Sequence, residues 1–370
     1  MGDPAVTRPS LQGRAASVIG RMPDEAAGTG TRTWGGRAAV VSDIGTSAMH
    51  GRDDLLALAA RRVAAVRAGT GHLLLLAGEA GIGKTRLLRA VQRLAADEGF
   101  GRWSAGAFPQ DVELSAGLLL DLGHTMSRSD QADVAARGRA LVADLAEVAD
   151  AHTDAGDAHR RRRLLVLAAA DRLAALADGG PALLALEDLH WSDELSLEII
   201  THVARRLPSL PLLVVGTLRT DELHQNAAVR SWRSRLLLQR MAEEARLPRL
   251  DLDQIRTMVH GLLPGRAVSQ GLVELVHQRS GGVPLHVEEL VNAAAQGRLS
   301  ADPSYVPETL AEAIHHRFAA LSPAARDTAL AAAVVRRTFD LDLVAAVQGG
   351  PASQVATGLD ELVERHFVVE

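Results

Sequence analysis

The sequence predicts an α/β fold in which a parallel sheet carries helices on both faces and an all-α region follows. Three observations predict it: a glycine loop joining a short apolar run to an amphipathic stretch, apolar runs alternating with helical periods beyond that loop, and a composition of 47% hydrophobic but only 3% aromatic residues. Cores poor in rings and rich in Leu, Val and Ala sit largely on helices, and 370 residues leave room for two or three of them.

The elements follow in chain order. Residues 1–46 are rich in Gly, Ala, Thr, Ser and Arg without a sustained period, and read as a flexible tail or an over-extended start, with Met49 as an alternative initiation point. Helical spacing begins at Gly51-Arg52-Asp53-Asp54-Leu55 and runs to Val66. The run His72-Leu73-Leu74-Leu75-Leu76-Ala77 suits a buried parallel strand, and Leu87, Leu88, Val91 and Leu94 mark a helix over residues 85–96. Further strands are expected near residues 102–108, 181–186 and 210–217, and helices near 131–148, 162–177 and 195–207.

The loop between the first strand and its helix reads Gly78-Glu79-Ala80-Gly81-Ile82-Gly83-Lys84-Thr85, the G-x-x-x-x-G-K-[ST] pattern that cradles phosphates. Glycines let successive N–H groups turn inward around an anion, the following helix points its positive end at the same place, and the Thr85 hydroxyl can ligate Mg²⁺. Lys84 is the only lysine in the chain, all other permanently charged bases being arginine. A compact ammonium reaches between β- and γ-phosphates where a planar guanidinium fits badly. The pattern implies a nucleotide with Mg²⁺, and the resemblance given below implies that the nucleotide is ATP.

A second apolar run, Leu183-Leu184-Ala185-Leu186, ends in Glu187 and Asp188. Phosphoryl transfer needs one carboxylate near the metal and another to orient or deprotonate the attacking water. The two acids are placed to share those roles at the tip of a strand expected beside the first, and their spacing leaves open which faces the ion.

Composition excludes other chemistries. There is no cysteine for disulfides or thiol catalysis, none of the fourteen histidines forms H-E-x-x-H, and a formal charge of −5 opposes coating of nucleic acid. No apolar run reaches the length of a membrane span and no signal-peptide core opens the chain, so a cytoplasmic location is expected. The run Arg160-Arg161-Arg162-Arg163 reads as a solvated helix face.

Several stretches together resemble the ATPase module of one family. Glu187-Asp188-Leu189-His190-Trp191-Ser192-Asp193 resembles the DDLHWAD or EDLHWAD signature of the STAND-type AAA ATPases in large bacterial LuxR-family regulators. Gly51-Arg52-Asp53 resembles the family's leading motif, Leu213-Val214-Val215-Gly216-Thr217-Leu218-Arg219 its fourth strand with a sensor arginine, and Ser280-Gly281-Gly282-Val283-Pro284-Leu285-His286-Val287-Glu288-Glu289-Leu290 its SGGNPLFLEEL lid motif. The segments around Val306-Pro307-Glu308-Thr309-Leu310 to Arg317, Leu321 to Arg326 and Val334 to Leu341 are similar to the winged-helix segment that follows.

The resemblance implies a P-loop domain over residues 47–247, a helical lid over 248–304 and a winged-helix-like region over 305–370. It implies that Arg52 and Pro284 flank the nucleotide and that Arg219 senses the γ-phosphate. His190 and Trp191 serve either as an interaction platform or as packing beneath the loop. Val283 and His286 replace the family's asparagine and phenylalanine, so lid contacts differ. The family's DNA-reading domain lies beyond the point where this chain stops, and residues 306–370 hold five arginines against nine acids. Direct DNA binding is therefore not expected, and partners are ATP or ADP and a protein or a second copy. A slowly hydrolysing switch is the first reading. The alternatives are an oligomeric remodelling ATPase, with Arg205, Arg206, Arg230, Arg233 and Arg235 as undistinguished candidates for a finger offered in trans, or a fragment that only binds nucleotide.

Overall fold

A computed structural model describes residues 49–149, 155–223, 226–301, 321–335 and 341–364, together with 311, 314–315, 318–319, 339 and 367–368. The expected tail, residues 306–310, Arg317 and 336–337 lie outside the described residues.

Strands β1 (His72–Gly78), β2 (Gly101–Gly106), β3 (Ala182–Glu187), β4 (Leu212–Arg219) and β5 (Glu243–Arg246) form one parallel sheet in the order β2-β3-β4-β1-β5. Alternate residues of each central strand enter opposite cores: Leu73, Leu75, Leu184 and Val214 on one face, Leu74, Leu76, Leu183 and Val215 on the other. Burial on both faces is why these strands read as unbroken apolar runs. Helices α1 (Asp53–Arg67) and α2 (Lys84–Asp97) cover the second face through Val63, Val66, Leu87 and Val91. The first is covered by α3 (Gly117–Ser127), α4 (Ala132–Ala149), α5 (Ala155–Ala174), α6 (Glu194–Arg206) and α7 (Ala227–Leu238).

The expected α/β architecture is present, with three differences of detail. β3 does not neighbour β1, because β4 is inserted between them. α5 begins at Ala155, so the arginine run lies within a helix, with all four side chains exposed. β5, a charged four-residue edge strand, has no apolar period to announce it; pairing with β1 and ion pairs from Glu243 to Arg62 and from Glu244 to Arg233 hold it in place.

After β5, helices α8 (Leu252–Leu262), α9 (Gln270–Ser280) and α10 (Pro284–Ala295) enclose a core of Ile255, Val259, Val276 and Leu290. Local chemistry marks their ends. Asp251 and Gln254 cap α8 reciprocally, Ser269 caps α9, Gly281 leaves α9 at φ 57°, and Pro284 opens α10. Helices Pro323–Val335, Leu341–Gln348 and Ala352–Glu364 pack around Ala331, Val344 and Val355. Among the described residues no helix is long and apolar enough to cross a membrane.

Candidate functional site

Parallel register sets the chemistry-bearing residues along one edge of the sheet. Gly78 lies opposite Arg219 across β1 and β4, Leu186 opposite Gly216 across β3 and β4, and Glu187 beside Gly106 across β3 and β2. The C-terminal edge of an open parallel sheet is where ligands bind.

The glycine loop turns tightly between β1 and α2. Gly81 and Gly83 adopt φ of 74° and 102°, a region L side chains rarely enter, and a Cβ at Gly81 would lie 3.0 Å from Leu285 Cβ. Lys84 is buried, and its Nζ donates to the carbonyls of Gly78 at 2.9 Å and Glu79 at 2.7 Å. Burial pulls its ammonium from 10.5 to about 8, against the raising field of Asp221. Thr85 Oγ1 donates to Glu187 Oε2 at 3.1 Å, so of the two acids it is Glu187 that meets the loop.

Asp188 bonds to β4 instead. Its backbone is left-handed at φ 54°, and its N–H donates to Thr217 Oγ1 on β4 at 2.8 Å. Its carboxylate Oδ1 lies 3.9 Å from Arg219 Nε. The turn it starts is packed from below: Leu189 is fully buried against Gly216, where a Cβ would sit 2.3 Å from Leu189 Cδ1. His190 is 1% exposed and Trp191 half-buried against the core, so packing beneath the loop is what the structure shows for this pair. Asp193 caps α6 through the Ser196 N–H at 2.9 Å and also accepts the Ala116 N–H at 2.8 Å.

Arg219 Nη1 donates to Glu222 Oε1 at 2.7 Å. The other oxygen of Glu222 lies 3.2 Å from His190 Nε2, outside hydrogen-bond geometry. Burial acts to raise the Glu222 pKa, yet His190 and Arg219 together hold it down at about 2. For Arg219 burial acts downward and is outweighed by Glu222, Asp188 and Asp221, which raise it. The sequence singles out Arg219 but not Glu222, the carboxylate it bonds to. The missed signal is the i, i+3 spacing of Arg219 and Glu222 after a strand end.

The helical region after β5 touches the loop directly. The Leu285 N–H, in the first turn of α10, donates to Gly81 O at 3.2 Å; Arg249 grips Glu79 at 2.9 and 2.7 Å; Arg86 of α2 meets Glu288 at 2.9 Å. A cavity of about 160 Å³ opens between these parts, lined by Glu79, Gly81, Arg219, Asp221, Glu222 and Leu285 among others. Arg52 is buried, its Nη2 donating to Pro248 O at 2.6 Å and Ile82 O at 3.4 Å. It lines a smaller cavity of about 30 Å³ together with His50, Ile82, Met258 and Pro284. Of the arginines considered for a role in trans, Arg206 pairs with Asp171 and Arg233 with Glu244, and Arg205, Arg230 and Arg235 are exposed.

Residues 49–215 match the AAA ATPase domain family. An uncharacterized protein of Rhizobium meliloti (strain 1021) is 29% identical over 336 residues, a match covering 82% of this chain and 31% of that protein. The chain thus spans about a third of the length of the curated relative it matches. Among solved structures, the ORC1 protein of Aeropyrum pernix in complex with DNA has a TM-score of 0.43 at 14% identity, covering 88% of this chain and 86% of its own. AMPPCP-bound DnaA of Aquifex aeolicus has 0.44 at 12%, covering 86% and 89%. A signal transduction ATPase with numerous domains from Pyrococcus horikoshii, with a tetratricopeptide repeat sensor, has 0.37 at 12%, covering 84% and 39%. The fold is that of an AAA-type P-loop domain with a helical region behind it.

Proposed function

We propose that the chain is an ATP-binding, slowly hydrolysing switch resembling the ATPase module of LuxR-family regulators. The observation that carries the reading is the meeting of Lys84, Thr85 and Glu187 at the end of β1, with Arg219 across the cavity on β4.

The residues fit Mg²⁺ and ATP. A hydroxyl and a carboxylate oxygen 3.1 Å apart are the hard oxygen donors Mg²⁺ prefers, and the left-handed Gly81 and Gly83 give the loop the turns of a phosphate cradle. Thr85 and Glu187 would hold the metal, which when bound offsets charge on the phosphates. Lys84 would exchange its two carbonyl acceptors for β- and γ-phosphate oxygens. Asp188, whose carboxylate lies near Arg219, is the acid to orient an attacking water. Arg219 would read the terminal phosphate by charge-assisted hydrogen bonds. Arg52 and Pro284 would border the base.

Loop and lid share three contacts, Gly81 with Leu285, Glu79 with Arg249 and Arg86 with Glu288, so a change of nucleotide at the loop is felt by the lid without a relay. The output is a protein partner or a second copy that reads lid position; direct DNA binding is not part of the proposal.

The test is steady-state ATP turnover with Mg²⁺ beside Lys84→Ala, over a range of protein concentrations. Turnover below about one per minute, lost in the variant, supports the switch; about one per second or more, rising with concentration, supports a remodelling assembly instead. Activity that survives Lys84→Ala overturns the site.

A further inference from the structure

Glu222 belongs to no part of the machinery described so far, yet it joins two of its parts. It follows β4 by three residues, and its carboxylate is 11% exposed. One oxygen takes the Arg219 hydrogen bond at 2.7 Å, and the other faces His190, buried in the turn after β3, at 3.2 Å. The ends of β3 and β4 are tied a second time by Asp188 N–H to Thr217 Oγ1. Arg219 therefore does not hang free over the cavity. One of its terminal nitrogens is anchored, its Nε lies 3.9 Å from Asp188 Oδ1, and it lines one cavity with Glu79 and Gly81 of the phosphate loop.

We propose that Glu222 is a positioning residue that aims Arg219 at the terminal phosphate and so sets the preference of the site for nucleoside triphosphate over diphosphate. This rests on the reading that nucleotide occupies the phosphate loop. A guanidinium has five N–H donors in a rigid fork, so one can stay on Glu222 while others reach phosphate. Without the anchor, the side chain samples several rotamers, and ordering it costs affinity only for a ligand that reaches it. A diphosphate, held by Lys84 and the loop amides, does not pay that cost. Glu222 also faces His190 in the turn that follows Asp188, so both groups beyond the loop have it as a neighbour.

The experiment measures equilibrium binding of a non-hydrolysable ATP analogue and of ADP, with Mg²⁺, to wild type, Glu222→Gln, Glu222→Asp, Arg219→Gln and the Glu222→Gln/Arg219→Gln double variant. Glu222→Gln is expected to weaken triphosphate binding about tenfold and leave ADP binding within about twofold, with Glu222→Asp partly restoring the ratio. In the Arg219→Gln background the Glu222 change should have no further effect on the ratio. An unchanged ratio in Glu222→Gln overturns the proposal, as does a ratio shifted toward triphosphate, which would mean that Glu222 competes with phosphate for Arg219. Equal weakening of both nucleotides, or a further effect in the double variant, would show a role independent of Arg219 and also overturn it. Should Glu222→Gln fail to fold, His190→Gln removes the second support of the carboxylate and is expected to shift the ratio the same way by a smaller factor. Failure of wild type to bind either nucleotide counts against the proposed function instead, so the two readings fail separately.

Discussion

The two cations of the site are held by opposite means. Lys84 is 7% exposed and bonds to two backbone carbonyls; the side chain of Arg219 is 34% exposed and faces two carboxylates. Carbonyl dipoles satisfy the ammonium's hydrogens without offsetting its loss of hydration, so its pKa falls to about 8, whereas the charges of Glu222 and Asp188 more than offset the burial of the guanidinium. A cation kept under desolvation is poised to be stabilised by an incoming anion, and one already paired gains less. On this comparison Lys84 supplies affinity and Arg219 supplies discrimination.

The sharpest way to break the comparison is Lys84→Ala, expected to weaken both ATP and ADP by a hundredfold or more, about 3 kcal/mol, in a fluorescent-nucleotide titration. Weakening of ATP alone would reverse the two roles.

Alkaline pH tests the desolvation of Lys84 directly. The unfolded chain keeps this lysine charged up to its ordinary 10.5, the folded chain only up to about 8. Below pH 8 both states are protonated and the folded state bears the full penalty; as pH rises from 8 to 10.5 the unfolded state alone holds the proton and stability recovers, by on the order of 2–3 kcal/mol. The chain has this one lysine, one tyrosine and no cysteine, so few other groups titrate there. Urea midpoints at pH 7.5 and 10 should converge on those of Lys84→Met at the higher pH. A gap independent of pH would contradict the shift.

The paired side has the opposite sign. Glu222 is held at about 2 against an ordinary 4.5, so its contribution is complete above pH 4.5 and is lost as pH falls through that value toward 2, on the order of 2 kcal/mol. The stability gap between wild type and Glu222→Gln should close over that window.

Two smaller changes probe the supports. Gly216→Ala drives a Cβ into Leu189 beneath the Asp188 turn and should cost about 1–3 kcal/mol in a denaturant melt. Arg249→Ala removes a half-exposed pair with Glu79 and should cost under about 1 kcal/mol, read as faster amide exchange at Gly281 and Gly282 with little loss of global stability.

What the sequence determined by itself is local. Eight contiguous residues, Gly78 to Thr85, specify a phosphate loop because glycine enters the left-handed positions without strain, and the flanking apolar runs identify a strand buried on both faces. The Glu187-Asp188 pair was visible for the same reason. Which acid meets Thr85 was not, because that depends on the left-handed turn at Asp188 and on Leu189 packing into the space left by Gly216. The insertion of β4 between β1 and β3, the charged strand β5, the anchoring of Arg219 by Glu222 and the grip of Arg249 on Glu79 were settled only in three dimensions. Strand order depends on how crossovers pack, and the partners of a charge depend on which chain ends the sheet brings together; neither leaves a periodic trace along the chain.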